Sequence, residues 1–275
     1  MNSHATVSIS PLALFSSLKT HRNLIFSLTK REVIGRYRGS VLGILWSFFN
    51  PVLMLIVYTF VFSVIFKARW VSHSDSQTEF ALVLFAGLMI YNLFAECINR
   101  SPGLVLSNVN YVKKVVFPLE ILSVVTIGSA TFHFLISLFV WLIFYLIFLG
   151  IPQTTLILLP LLIIPFCLLM LGLSWFLASL GVFLRDINQF VGIMTTALMF
   201  LSPIFYPIDA LPQEYQTLLQ INPLTFVIEQ ARSAMIWGNA INWPALVLYL
   251  LCATLVAWLG FAWFQKTRNG FANVL

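Results

Sequence analysis

The sequence predicts an all-α integral membrane protein with six transmembrane helices, and three observations support this fold class. Apolar residues make up 60% of the 275 residues and charged residues only 9%, whereas about 25% of the residues of a soluble protein are charged. Several uncharged stretches reach the roughly 20 residues that a helix needs to cross a bilayer. The cations lie mostly in short segments beside those stretches, which membrane topology explains without nucleic-acid binding.

Hydrophobicity divides the chain into two parts. Residues 1–40 form a polar N-terminal segment, and residues 41–275 form a transmembrane domain. Charges, Pro, Gly or Asn bound each predicted span. The third and fourth spans are near 30 residues long, so tilt, or kinks at Pro160 and Pro165, must absorb the excess length. The predicted spans are residues 41–66, 80–98, 119–149, 155–184, 188–206 and 244–264.

The N-terminal segment has the pattern of an amphipathic helix within residues 11–38. Four apolar side chains recur at helical spacing, and Lys19, Asn23 and Lys30 lie opposite them. Such a helix either lies in the membrane interface or docks on the protein's own cytosolic face, and the pattern allows both. The apolar stripe consists of Leu14, Leu18, Ile25 and Leu28.

The distribution of Lys and Arg predicts the orientation of the chain in the membrane. Twelve of the fifteen Lys and Arg residues fall before the first span, between spans two and three, between spans four and five, or in the C-terminal tail. Only Lys67, Arg69 and Arg232 fall on the other side. Because cations are retained in the cytosol, both termini are expected to be cytosolic, in a bacterial inner membrane.

Residues 99–118 are too polar to span the membrane and too long for a tight turn. Their centre is amphipathic enough for a short cytosolic helix, of the kind that a motor protein would need to grip. The alternative is a plain connecting loop whose lysines only hold topology.

Residues 206–240 contain three prolines with short amphipathic pieces between them. We expect re-entrant or interfacial helices near the outer surface, because irregular backbone is tolerated only where protein or water satisfies its polar groups. They either form a lid over a pore exit or an ordinary interfacial loop.

Titratable groups are scarce at membrane depth, which argues against a proton relay or an ion channel. His133 is the exception, either as a packing residue or as a proton shuttle. Glu96 and Arg100 are four residues apart at a span end, and this spacing predicts an ion pair. No Gly is followed by Lys, so the ATP-binding phosphate loop is absent, and no catalytic or metal motif is present. Cys97, Cys167 and Cys252 are isolated from one another.

Aromatic residues make up 15% of the chain, and the first span is rich in them. In a membrane they contact lipid and anchor the interfaces. The alternative is a pore lined by aromatic faces, which stack on sugar rings without fixing a single pose. The candidate channel aromatics are Trp46, Tyr58, Phe60, Phe62, Tyr91, Phe205 and Tyr206.

Six segments together resemble the ABC-2 polysaccharide-export permeases of the Wzm, KpsM and TagG type. They match that family in order and spacing over nearly the whole chain, and the combination is far more specific than any one segment. The segments are residues 36–46 (RYRGSVLGILW), 50–51 (NP), 113–118 (KKVVFP), 184–187 (LRDI), 201–207 (LSPIFYP) and 222–224 (NPL).

This resemblance implies a homodimer of permeases bound to two copies of an ATPase subunit, which holds ATP and Mg²⁺. The implied cargo is an undecaprenyl-linked polysaccharide, with O antigen ahead of teichoic acid and capsule. Residues 99–118 become a coupling helix that contacts the ATPase through Tyr111, Lys113, Lys114 and Phe117. Residues 206–240 become outer gate helices, and Arg36 and Arg38 lie near the lipid-pyrophosphate entrance.

Leu119 departs from the family pattern, since many relatives carry Arg there, and this puts a charge contact at that position in doubt. Two other functions stay open. Drug or small-lipid efflux uses the same fold and differs in needing no continuous channel. A membrane glycosyltransferase or scaffold is disfavoured, because acidic residues are not clustered on the cytosolic side. The glycan itself is not encoded in any recognisable motif.

Overall fold

A computed structural model of the protein describes residues 10–61, 77–112 and 117–275. Every regular element in these ranges is helical, which confirms the predicted all-α class. The α-helices are α1 (Pro11–Thr20), α2 (Arg22–Arg36), α3 (Trp46–Tyr58), α4 (Gln77–Arg100), α5 (Val109–Val112), α6 (Ile121–Phe148), α7 (Leu159–Phe183), α8 (Ile187–Leu201), α9 (Gln213–Gln220), α10 (Pro223–Arg232) and α11 (Trp243–Val274).

Five helical stretches within the described residues are long and apolar enough to cross a membrane. Two of them, Ile121–Phe148 and Thr154–Phe183, agree with the predicted third and fourth spans to within two residues. The first prediction runs on to residue 66, which lies outside the described residues. The other three stretches are Gly43–Val61, Thr78–Gly103 and Trp243–Val274.

The fifth predicted span, residues 188–206, is shorter in the structure. Helix α8 has 15 residues, which at 1.5 Å per residue gives about 22 Å and falls short of a ~30 Å hydrocarbon core. It ends because Ser202 is extended and Pro203 follows. The last helix is longer than predicted, since α11 continues ten residues past the predicted end to Val274.

Helix α4 lies at the centre of the bundle and α3 at its edge. In the most hydrophobic 18-residue window of each, 83% of the α4 residues are buried but only 11% of the α3 residues. Helix α4 packs against α3, α6, α7, α8 and α10. Helix α3 therefore leaves most of its apolar surface uncovered within a single chain.

Helices α7 and α11 form the most extensive helix pair in the described chain. Their backbones meet at Gly172 and Gly260: a Cβ on either residue would collide with the other helix's backbone. Small residues that let backbones approach closely are a common feature of membrane helix pairs. This pair therefore forms a tightly packed wall of the bundle.

Helix α1 and the last turns of α11 lie at one end of the bundle, which we call the near end. Glu120, at the start of α6, accepts a hydrogen bond from the Ser17 hydroxyl at 2.8 Å and pairs with Arg268 at 3.1 Å. These contacts hold α1 and the last turns of α11 together. The opposite end, which contains residues 202–242, is called the far end.

The N-terminal segment forms two helices with a break at His21, and it docks on the bundle. Leu18, Ile25 and Leu28 pack against Ile121 and Val125 of α6, so the predicted stripe faces the protein. Other apolar side chains of α1 and α2 point outward and are exposed, namely Leu12, Phe15 and Phe26. The segment therefore has an apolar surface on each side.

Candidate functional site

A polar groove of about 640 Å³ opens between α2, α3, α4 and α6. Its lining combines arginines, amides and aromatic rings, which is an unusual mixture inside a bundle that is otherwise apolar. The residues that define the polar groove are Arg36, Tyr37, Trp46, Ser47, Asn50, Pro51, Met54, Tyr58, Asn92, Ala95, Glu96, Asn99, Arg100, His133 and Ser137.

The carboxylate of Glu96 organises the charged part of the groove. Its Oε1 atom accepts from Arg36 at 2.5 Å and lies 3.2 Å from His133 Nδ1. The same oxygen lies 3.6 Å from Arg100, which confirms the ion pair predicted from the four-residue spacing. Arg100 also binds Glu32 of α2. These contacts tie α2, α4 and α6 together around one group of charges.

The cations of this group are more accessible than the acids. The side chains of Arg36 and Arg100 are 51% and 38% exposed, whereas those of Glu96 and Glu32 are 17% and 25% exposed. Arg38 is exposed as well. The polar groove therefore presents mainly hydrogen-bond donors and positive charge to a ligand, and guanidinium groups suit phosphate oxygens.

The polar groove reaches from the near end to about the middle of the bundle. Tyr58 lies twelve residues after Trp46 on α3, and His133 lies twelve residues after Ile121 on α6. Both spacings correspond to about 18 Å along a helix. The Nε2 atom of His133 is buried and has no hydrogen-bond partner among the described residues. The charged group reaches this depth, because Arg36 and Glu96 both contact His133, whereas Trp46 lies at the start of α3. Charged and aromatic side chains are therefore interspersed along the groove.

Only part of the predicted aromatic set lies in the polar groove. Trp46 and Tyr58 line it together with Arg36. Phe60, two residues after the end of α3, lies in a separate apolar recess beside Phe144 and Phe148. Phe62 lies outside the described residues.

The remaining predicted aromatics occupy the core and the far end. Tyr91 is buried, and its hydroxyl donates to the carbonyl of Thr195 at 2.9 Å, a packing position between α4 and α8. Phe205 stacks on Phe200 with ring centroids 5.8 Å apart. The hydroxyl of Tyr206 donates to the carbonyl of Phe200 at 3.1 Å. The structure therefore does not bring these three rings together with Arg36.

The predicted coupling residues lie at the near end. The ring of Tyr111 stacks on that of Phe117 at 4.1 Å, and its hydroxyl accepts from Arg31 of α2 at 2.8 Å. The Phe117 carbonyl accepts from Arg268 of α11 at 2.8 Å. Lys113 and Lys114 lie outside the described residues. Leu119, the position that departs from the family pattern, is buried.

Comparison with known proteins assigns the family. Residues 23–236 match the ABC-2 type transporter family. This chain belongs to the ABC-2 type transporters. Three relatives align along most of the chain, and all three cover at least 88% of it. They are the O-antigen export system permease protein RfbA of Klebsiella pneumoniae (25% identical over 92% of this chain and 95% of the relative), RfbA of Myxococcus xanthus (25%, 95% and 99%), and the polysialic acid transport protein KpsM of Escherichia coli (26%, 88% and 92%).

A buried arginine at the far end of this ABC-2 transporter has a role that sequence reasoning missed. Arg232, the last residue of α10, is fully buried. Its Nε donates to the Val83 carbonyl at 3.0 Å, and its Nη2 donates to the Ile204 carbonyl at 2.6 Å. Its Nη1 donates to the Pro203 carbonyl and lies 3.3 Å from Glu229. Arg232 therefore fastens α10 to α4 and to the turn after α8.

The packing around Arg232 depends on a glycine of α4. A Cβ built on Gly87 would lie 3.0 Å from the Arg232 Cζ atom and would collide with its guanidinium. Burial lowers the pKa of Arg232 to about 10, so the side chain stays protonated at neutral pH. From sequence, Arg232 is counted only as an outer-loop cation. The one local signal is an arginine inside the mostly apolar run from Ala231 to Ile236.

Proposed function

We propose that this chain is the permease subunit of an ABC transporter that exports an undecaprenyl-linked polysaccharide, with O antigen as the first candidate. The observation that carries this proposal is the polar groove, in which exposed arginines lie among aromatic rings. Membership of the ABC-2 family and the relatives named for O-antigen export support it.

The charged part of the polar groove suits the pyrophosphate of a lipid-linked glycan. Arg36 and Arg100 keep exposed donors while Glu96 fixes the orientation of both guanidinium groups. Arg38 supplies a further cation beside them. Charge-assisted hydrogen bonds from arginine to phosphate oxygens are among the strongest in proteins, so these arginines would bind the headgroup first.

The aromatic rings and amides of the polar groove suit a sugar chain. Trp46 and Tyr58 offer ring faces, and Asn50, Asn92 and Asn99 offer amides. Rings stack on the C–H faces of sugars, and amides exchange hydrogen bonds with hydroxyls. Neither contact demands one sugar identity. Such a wall would let successive residues of a polymer slide past.

A complete conduit requires a second copy of the chain. Helix α3 exposes Met54 and Val57, and α8 exposes Ile193 and Phe200. Exposed apolar faces of this extent are typical of membrane or protein contacts. We therefore place a homodimer around these helices, with the polar groove of each copy facing the path.

The energy for export would come from two copies of a separate ATPase subunit that bind ATP and Mg²⁺. The segment of residues 99–118 is the surface on which they would act. Tyr111 in that segment binds Arg31, and Arg36 lies on the same helix, α2, and lines the polar groove. A push on Tyr111 would therefore be carried by α2 to the site of headgroup binding.

The near end would face the cytosol of a bacterial cell, with both termini inside. Most of the chain's cations flank the near ends of the spans, and cations are retained in the cytosol. In this orientation, Leu12, Phe15 and Phe26 of the N-terminal helices would rest on the inner surface of the membrane. The far end would then release the polymer outside.

Polymer export in cells that lack the chromosomal copy tests this proposal. The double variant Trp46→Ala/Tyr58→Ala should reduce surface polysaccharide about tenfold, because each lost ring contact contributes about 0.5–1.5 kcal/mol. Phe139→Ala is the matched control, since Phe139 is an exposed aromatic of α6 outside the polar groove. Equal export by the double variant and the wild type, at equal expression, would refute the proposal.

A further inference from the structure

A second cavity, of about 760 Å³, lies at the far end between α7, α9, α10 and α11. It is separate from the polar groove and shares no lining residue with it. Its walls include Asp209, Thr225, Glu229, Leu248 and Tyr249. We call it the far-end cavity.

The far-end cavity extends well into the membrane-spanning part of the bundle. Its deepest lining residues, Leu169 and Ala253, lie ten residues after the starts of α7 and α11. Each spacing corresponds to about 15 Å, which is half of a ~30 Å hydrocarbon core. Two helices thus give the same depth independently, and the bottom of the cavity is apolar.

One side of the far-end cavity borders the outward surface of α11. Leu248 is 63% exposed, and Cys252 is exposed as well. Val247, Leu251 and Leu255 continue the same uncovered apolar surface along the helix. A molecule in the cavity would therefore lie against the surface that α11 presents to lipid, so an amphiphile fits this opening better than a soluble sugar.

The polar groups of the far-end cavity have a net negative character. Asp209 and Glu229 line it, and none of its described lining residues is Lys or Arg. Arg232 lies 3.3 Å from Glu229 and balances that carboxylate, which leaves the charge of Asp209 uncompensated within the lining. A cationic group on a ligand would complete the charge balance.

Two hydroxyl groups in the wall are buried without a hydrogen bond. The Oγ1 atom of Thr225 and the hydroxyl oxygen of Tyr249 have no partner in the described part of the chain, and Thr225 is only 3% exposed. The Tyr249 ring is held in place by stacking on Phe226 at 5.2 Å. Buried polar groups in native proteins are normally bonded, so these two hydroxyls indicate a missing polar partner.

We propose that the far-end cavity binds a phospholipid whose headgroup carries a primary amine. Its ammonium group would bind Asp209 and Glu229, and its phosphate oxygens would accept hydrogen bonds from Thr225 and Tyr249. One acyl chain would follow the apolar surface beside Leu248. This site is distinct from the polar groove, and the inference does not depend on which polymer is exported.

Lipid binding to the delipidated full-length protein in detergent tests this inference. Phosphatidylethanolamine, phosphatidylcholine and phosphatidylglycerol with identical acyl chains are titrated separately, and bound lipid is counted by native mass spectrometry. Phosphatidylethanolamine should bind about tenfold more tightly than either other lipid, because only its headgroup combines a positive charge with hydrogen-bond donors for the carboxylates. Equal binding of the three lipids would overturn the proposal.

Three variants locate the bound lipid. Asp209→Asn should abolish the preference for phosphatidylethanolamine. Thr225→Val/Tyr249→Phe should instead weaken the binding of all three lipids by a similar factor, because each of them carries the phosphate. Glu214→Gln removes the same charge from α9, outside the cavity lining, and should retain the preference. A melting temperature close to that of the wild type shows that each variant is folded. If Asp209→Asn retained the preference for phosphatidylethanolamine, or if Glu214→Gln lost it to the same extent, the lipid would bind elsewhere and the proposal would be overturned.

Discussion

The two ends of this protein use arginine in opposite ways. At the near end, Arg36 and Arg100 pair with carboxylates and remain partly exposed in the polar groove. At the far end, Arg232 is fully buried and donates to three backbone carbonyls. A partly exposed guanidinium can exchange one partner for a ligand at small cost. A buried guanidinium cannot move away from its carbonyls without leaving these buried acceptors without a hydrogen bond.

The difference shows that burial, rather than residue type, separates a binding arginine from a structural one. Near-end arginines keep donors available for an anion, and we therefore assign them to the ligand. Arg232 has its donors directed at the chain itself, so we assign it to holding α10 in place. Variants at the two ends should consequently affect different measurements.

The largest loss of stability should follow Arg232→Met. Three carbonyls and Glu229 would lose a buried charged partner, and breaking a buried ion pair costs about 3–5 kcal/mol. Unfolding of the purified protein by SDS titration measures the loss. The stability of Arg232→Lys should lie between that of Arg232→Met and that of the wild type, because one ammonium group cannot reach all three carbonyls. A change below about 1 kcal/mol in Arg232→Met would show that the far-end arginine is not structural.

Gly87→Ala should have an intermediate effect on stability. The added methyl group displaces the Arg232 guanidinium, and overpacking of this kind costs about 1–3 kcal/mol. Gly192→Ala is the matched control, because Gly192 is also helical and no atom lies within 4 Å of its built Cβ. The control should be neutral or stabilised by up to about 1 kcal/mol. Equal unfolding free energies for the two variants would contradict the close contact.

The smallest change in stability should follow Arg36→Met, since pairs that involve an exposed side chain contribute about 0–1 kcal/mol. Binding should respond more strongly. Loss of a charged hydrogen bond costs about 1.5–3 kcal/mol, which is a decrease of about 10- to 100-fold in affinity for a pyrophosphate-linked lipid. Lys30→Met, which removes an exposed cation of the same helix outside the polar groove, is the control. Matching affinities for both variants would leave Arg36 without a binding role.

Hydrophobicity and local spacing were sufficient to predict much of this fold. The helix Ile121–Phe148 could be predicted from a long uncharged run between polar segments. The Glu96–Arg100 ion pair could be predicted from helical periodicity alone. The length of α8 was overestimated because residues 202–206 are apolar although the chain turns there. The end of α11 was placed too early because a helix that leaves the membrane continues through polar residues such as Gln265 and Asn269.

The candidate site was predicted only in part, because its contacts join residues far apart in sequence. Arg36 and Glu96 are separated by 60 positions, and no local pattern indicates that they meet. Tyr91 was grouped with the channel aromatics by residue type, whereas its position is set by a hydrogen bond to α8. The role of Arg232 depends on burial between elements 149 positions apart, which periodicity does not report.

Helix α4 carries contacts of both ends on one straight segment. Val83 and Gly87 meet Arg232, and Glu96 holds the arginines of the polar groove. Val83 and Glu96 are thirteen positions apart, which corresponds to about 20 Å of continuous helix. This stretch of α4 is packed on nearly every side. A ligand bound against Asn92 would therefore contact a helix that is held at both ends of the bundle, by Glu96 at one end and by Arg232 at the other.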